Sequence, residues 1–308
     1  MNTYRNGIAA LLVMLGAASY GLMTPVVKMA VADGWGPGAL SFAQIVSGTA
    51  MLLIVWLIRF RLRPSLRMKP GTWIRLAFIG ICGLSLTTVF YNEALARLDA
   101  SLAVVLLFQY TWITILLESI RAKRWPTRQE AVASVLIFAG TLLAAGLIEQ
   151  GIGRLDVEGL LFGLLSALTY SLFFFLSGSL PSSQEPYTKS SVMALSSLAF
   201  ISVMHGAGTG GPAGSGSVPI AVWGFLLGLL GSALPAICFN AGIPRIGPGL
   251  AALLGALELP IAVLASFALL GEPLTWVQGF GVVLLLAGIV AAQSRMGEKA
   301  GNRPGSEE

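Results

Sequence analysis

Residues 256–275 read "ALELPIAVLASFALLGEPLT", an oil-like run interrupted by one carboxylate, Glu258, with Pro260 two residues on. The run begins near Gly247, which puts Glu258 about eleven residues, or about 17 Å, along a helix. That is close to the middle of a hydrocarbon layer about 30 Å thick. An ionised carboxylate facing lipid at that depth costs at least about 2.5 kcal/mol, so Glu258 must face protein or water. Pro260 removes a backbone donor and frees the carbonyl of Ala256 one turn earlier. A carboxylate so placed has two chemical uses: a ligand for a cationic group, or a site for an exchangeable proton.

A second polar cluster, "FQYTWIT" (108–114), brings Gln109, Tyr110 and Trp112 to mid-depth, although Trp and Tyr normally prefer the headgroup belts. Aromatic faces beside a carboxylate suit an ammonium group. Tyr20 and Thr24, with a kink expected at Pro25, are further candidates for lining a cavity. So are Tyr91 and Asn92 near the outer end of a third run, and Tyr170 and Trp223 by symmetry. Each of these ten residues is a candidate substrate contact, with ordinary helix packing as its alternative. The remaining carboxylates read as local: Glu93 pairs with Lys28 or Arg97, Glu118 with Arg121 or Arg124, and Glu272 belongs to a turn. His205 reads as interfacial.

The elements that position these groups follow from composition. Of 308 residues, 56% are hydrophobic and 11% charged, with a mean hydropathy of +0.81. A soluble domain carries about 25% charged residues. The balance fits an all-α polytopic membrane protein. Runs of about 20 apolar residues place spans near 8–31, 36–58, 72–94, 99–120, 129–148, 157–179, 188–206, 218–241, 247–270 and 274–293. The N-terminal run reads as a retained first helix rather than a cleaved leader. With the N-terminus inside, sixteen of the nineteen Lys and Arg residues fall on the inner side, leaving only Lys28, Arg97 and Arg154 outside. That asymmetry puts both termini in the cytoplasm, in a plasma (inner) membrane of bacterial type. It also reads the net charge of +5 as topology and lipid contact rather than nucleic-acid binding. The stretches 205–219 and 295–308 read as a flexible outer loop and a disordered cytoplasmic tail.

Sliding the chain by 148 residues lays "YNEALARLDASLAVVLL" (91–107) on "FNAGIPRIGPGLAALLG" (239–255), with Asn92 on Asn240 and Arg97 on Arg245. The register holds without a gap to Ala139-Gly140 on Ala287-Gly288. The first helices align at a shift of 150, with Ser19-Tyr20 on Thr169-Tyr170. The chain therefore divides into a five-span half, 1–150, and a second, 151–294, entering from the opposite side. This is an inverted-topology repeat, a construction of many secondary transporters.

The stretch 257–292, with Glu258, Pro260, Gly271-Glu272-Pro273 and Ala287-Gly288, resembles the signature of the EamA-type family of the drug/metabolite transporter superfamily. The resemblance implies a transporter of small metabolites, often exporting amino acids or their relatives, with no ATP-binding part. The first half departs from the pattern: Tyr110-Thr111-Trp112 stands where the second half has Glu258-Leu259-Pro260, and Lys123-Arg124 where it has Gly271-Glu272.

The expected activity is alternating-access transport of a small polar metabolite such as an amino acid or amine, coupled to a proton or another ion. A channel-like facilitator is the alternative, and an intramembrane enzyme a remoter one. The sequence carries no HExxH, GxSxG or Asp pair and no filter-like ring. One His and two Cys, Cys82 and Cys238, leave no set of metal ligands, and no cofactor is expected. The chain is read as a monomer or homodimer.

Overall fold

The computed structural model describes residues 2–62, 70–98, 100–146, 156–182, 185–204 and 214–301. His205, Arg154, most of the 205–219 loop and the last seven residues lie outside them. Within the described residues the chain is helical, with one isolated antiparallel bridge, Trp35 to Gly214.

The first half is built from α1 (Asn2–Ala32), α2 (Pro37–Leu62), α3 (Pro70–Ile79), a π-helical segment (Gly80–Leu86), α4 (Thr87–Arg97), α5 (Ala100–Leu107), α6 (Tyr110–Arg121) and α7 (Arg128–Ala144). The second half follows with α8 (Val157–Gly178), α9 (Pro186–Met204), α10 (Ile220–Gly228), a second π-helical segment (Leu229–Ala233), α11 (Leu234–Ile246), α12 (Pro248–Gly255), α13 (Glu258–Leu270) and α14 (Trp276–Gly301).

Local features recur at the same offset. Helices α5 and α6 are separated at residues 108–109, and α12 and α13 at 256–257, 148 positions on. The π segments start at Gly80 and Leu229, within one residue of that offset. Thr127 caps α7 in a reciprocal box with Glu130. Thr275 does the same for α14 with Gln278, by paired backbone-to-side-chain bonds of 3.2 Å, so each helix start satisfies two orphan donors. Where α7 crosses α14, a Cβ on Gly140 would meet Leu285 at 2.8 Å and one on Gly288 would meet Ile137 at 2.9 Å. These two contacts are mirror copies of one another, and they let the two helices touch backbone to side chain.

Among the described residues, seven helices are long and apolar enough to cross a membrane, the first being Asn6–Ala32 and the last Pro248–Leu270. The sequence had suggested ten spans. Of the other three, α7 has only seventeen residues, with Arg128 and Glu130 in its first turn. The apolar part of α14 is the short stretch Trp276–Ala292, and α9 carries Lys189 and five serines. The α14 helix runs to Gly301, seven residues past the boundary read at 294.

Contacts define two ends of the bundle. At one, Arg59 donates to the Tyr187 hydroxyl and Arg75 to Ser179. At the other, Lys28 pairs with Glu272 at 2.8 Å and Asp33 gathers the residues just before α10. Here the Asp33 carboxylate accepts from the backbone N–H of Ser217 and Val218 (3.0 Å each), the Ser217 hydroxyl and Trp223 Nε1 (3.1 Å). These bonds, led by the Ser217 and Trp223 side chains, hold the Asp33 carboxyl at a pKa of about 2.

Candidate binding cavity

A cavity of about 380 Å³ lies among helices of both halves, and Glu258 is in its wall. Along α2 its lining reaches from Leu40 to Leu52, about 18 Å of helix. Its walls rest on the two π segments. A π turn leaves carbonyls without the usual i+4 amide, and such segments cluster at functional sites. In the first, the Thr87 and Thr88 hydroxyls donate to the carbonyls of Gly83 and Leu84, both at 2.9 Å. In the second, Ser19 donates to Leu230 O at 2.7 Å and Gln44 to Gly231 O at 3.2 Å. Two of these donors come from the first half and reach the second, so the cavity wall also ties the halves together.

Glu258 begins α13, after the break at 256–257. The break is compact: Leu259 N donates to Ala256 O at 3.3 Å and Ile261 N to Leu257 O at 3.2 Å, while Pro260 has no proton to give. The side chain is half-buried, and no hydrogen bond or ion pair to it is found among the described residues. Tyr20, Tyr91 and Tyr170 share the cavity wall with it. Tyr20 stacks on Phe239 with centroids 6.1 Å apart, and Phe173 meets Phe239 edge-on at 6.3 Å. Tyr20, Tyr170, Phe173 and Phe239 line the cavity with Glu258: one carboxylate among aromatic faces, a setting that favours a cationic group.

The ten sequence candidates separate into two groups. Glu258, Tyr20, Tyr91, Asn92 and Tyr170 line the cavity. The other five do not. Tyr110 is fully buried behind Tyr170, centroids 4.6 Å apart, with its hydroxyl 3.4 Å from Ala252 O. Trp112 is 44% exposed on the outside of the bundle, donating to Gln109 Oε1 at 2.8 Å. Gln109 spends its amide on Val105 O at 2.7 Å. Two residues of helix turn the side chain by about 200°, so Tyr110 and Trp112 cannot face one cavity. Thr24 is half-buried beside Met23, which takes the lining position. Trp223 belongs to the Asp33 cluster at the bundle end. Gln44, Thr87 and Thr88, not among the sequence candidates, also line the cavity; the Gly-Ser-Thr content of 80–88 is the sequence signal for the two threonines.

The local carboxylates resolve simply. Glu93 pairs with Arg97. Lys28 takes Glu272 rather than Glu93. Glu118 lies 3.9 Å from Arg124 and accepts from Gly249 N at 2.7 Å, putting a negative charge on the N-terminus of α12.

Among the described residues, seven membrane-length helices around a polar-aromatic cavity define a multi-pass membrane protein. The model of the EamA-like transporter family matches residues 7–146 and again 157–292, so the chain belongs to that family. It is 22% identical over 298 residues to the uncharacterized transporter YwfM of Bacillus subtilis, covering 93% of this chain and 94% of that protein. A solved crystal structure shares the fold with a TM-score of 0.74 at 17% identity, over 93% of this chain and 98% of the other. The family implies a small-molecule substrate and a lipid environment.

Proposed function

We propose that this protein is a secondary transporter of a small polar metabolite carrying a cationic group, an amino acid, amine or relative, moved by alternating access. The observation that carries the reading is the cavity between the halves, in which Glu258 stands among Tyr20, Tyr170, Phe173 and Phe239. An ammonium there would exchange water for a carboxylate and π-faces, a contact of about 0.5–2 kcal/mol per ring. Glu258 would hold either the substrate or a proton, which couples the two movements.

The paired breaks, π segments and capping boxes support ten spans in two five-helix halves, 1–150 and 151–294, of opposite orientation. The charge asymmetry supports cytoplasmic termini in a bacterial plasma membrane, and export is the direction proposed. The test is a thermal-shift screen of the purified protein against amino acids, amines and quaternary ammonium compounds, followed by flux of the strongest binder in proteoliposomes. Slow, saturable flux that depends on Glu258 supports the reading. Fast flux that does not saturate makes the protein a channel-like facilitator.

A further inference from the structure

The sequence offset pairs two hydrogen bonds, one in each half. Asn92 Nδ2 donates to Ser41 Oγ at 3.4 Å, and Asn240 Nδ2 donates to Ser190 Oγ at 3.0 Å. The asparagines are 148 positions apart. Each serine lies four residues after the proline that opens its helix, Pro37 in α2 and Pro186 in α9.

The two bonds differ in surroundings. Asn92 and Ser41 are half-buried and line the cavity. Asn240 and Ser190 are 1% and 0% exposed. The Asn240 amide gives its protons to Ser190 and, at 3.0 Å, to Ala236 O, but its oxygen, Oδ1, has no partner. A buried acceptor left unpaired is costly and is seldom retained without a use.

The neighbour of Ser190 sharpens the contrast. Lys189 is 1% exposed, and its Nζ has one long bond, 3.4 Å to Pro181 O. Arg245 lies in the last turn of α11, the helix that carries Asn240. Among the described residues neither cation is paired with a carboxylate. The equivalent of Lys189 in the first half is Leu40. A buried ammonium without a carboxylate, on the residue before the serine that holds a buried amide whose oxygen has no partner, lacks the groups that would complete it.

Resting on the alternating-access reading above, we propose that Ser190, Asn240 and Lys189 form a second subsite of the transport path. It is closed here and opens toward the end of the bundle bearing Ser179 and Tyr187 when the Asn92–Ser41 side closes. Lys189 and Arg245 make that subsite selective for an anionic group of the carboxylate class, and Asn240 Oδ1 supplies an acceptor for an N–H or O–H of the same molecule. The carried molecule then bears both charges, its cation at Glu258 and its anion at Lys189. Because Leu40 replaces Lys189 on the other side, anion selectivity belongs to one face only.

The test needs no identified substrate. The full chain, with Cys82→Ala and Cys238→Ala, is reconstituted in liposomes carrying Ser41→Cys, Ser190→Cys or both. A bulky maleimide at position 41 should wedge that side open and suppress the reaction of position 190 with impermeant methanethiosulfonates, and the reverse order should protect position 41. At position 190, the sulfonate reagent should react about tenfold faster than the trimethylammonium reagent, as expected for a cation-lined cleft. Position 41 should show no such preference. Lys189→Met should erase the preference and Lys189→Arg should keep it; Asn240→Cys is the second reporter if Ser190→Cys does not insert. If an adduct at 41 leaves 190 unaffected, alternating access itself fails. If the positions trade reactivity but the anionic reagent has no advantage, or Lys189→Met leaves the advantage intact, the anion subsite alone is overturned.

Discussion

Gly21 lies against the first turn of α13: a Cβ there would stand 2.5 Å from the carbonyl oxygen of Glu258 and 2.7 Å from Ile261 Cβ. The obstacle is backbone, so it cannot rotate away. Gly21→Ala must push α1 and α13 apart and carry Glu258 with them. Overpacking of this kind costs about 1–3 kcal/mol. The variant should melt several degrees lower in detergent and bind more weakly. Gly7→Ala is the control, since nothing lies within 4 Å of its added Cβ; it should be neutral or gain up to about 1 kcal/mol in helix propensity. Equal melting of both variants would refute the close packing.

Lys123 and Gly271 occupy equivalent turns at the 148-residue offset, and both are left-handed, with φ of 49° and 65°. Only glycine adopts that region without a steric cost, which is about 1–2 kcal/mol for other residues. Lys123→Gly should therefore stabilise the protein by about 1 kcal/mol, and Gly271→Ala should destabilise it by a similar amount. Thermal unfolding of the two variants checks both signs.

The Asp33 cluster predicts a pH window. Its folded pKa is depressed to about 2 from an ordinary 3.8, so its contribution is present above pH 4 and is lost as the pH falls toward 2. Trp223 donates to Asp33, and Trp35 donates to Val218 O at 2.9 Å in the same cluster. Tryptophan fluorescence of the bundle end should hold steady from pH 8 to 4 and change between 4 and 2. Asp33→Asn should remove that acid transition. A transition near pH 6 in the parent protein would show that another group governs the cluster.

The proposed orientation places Arg128 inside and Ser215 outside, both exposed. In intact cells, with the native cysteines replaced, an impermeant maleimide should label Ser215→Cys and spare Arg128→Cys. The reverse pattern overturns the topology.

The helices and the 148-residue register were legible because apolar length and repeated residue order are written in the chain. The direction of individual side chains was less so. Mid-depth position alone grouped Gln109, Tyr110 and Trp112, whereas their helical phase sends Trp112 outward and Tyr110 into the core. The π segments left no periodic signal, since one extra residue per turn is a backbone event. The second segment explains why Ser19 reaches Leu230 O, a carbonyl that an α-helix would have occupied. Trp223 looked like a cavity residue by symmetry, but its indole is taken by Asp33, 190 positions away, a long-range contact that no local pattern encodes.

Glu258 and its aromatic neighbours yield the final prediction. Glu258→Gln keeps the shape and most of the hydrogen-bonding capacity but removes the charge. Losing a charge-assisted contact of about 1.5–3 kcal/mol should weaken binding of a cationic compound by roughly tenfold to a hundredfold, while the variant still folds and inserts. Loss of binding at every pH would make the carboxylate chiefly a substrate ligand. Retained binding without the parent's pH dependence would make it chiefly a proton carrier. Tyr170→Leu, which removes a π-face from the cavity wall, should weaken binding by an amount within the range of about 0.5–2 kcal/mol. Trp112→Leu should leave affinity within about twofold, because that ring lies outside the bundle and an exposed substitution seldom exceeds about 0.5 kcal/mol. Affinities from titration calorimetry, with each variant's melting temperature as a folding control, decide the matter. If Glu258→Gln matches the parent in affinity and pH profile while Trp112→Leu abolishes binding, the cavity described here is not the substrate site.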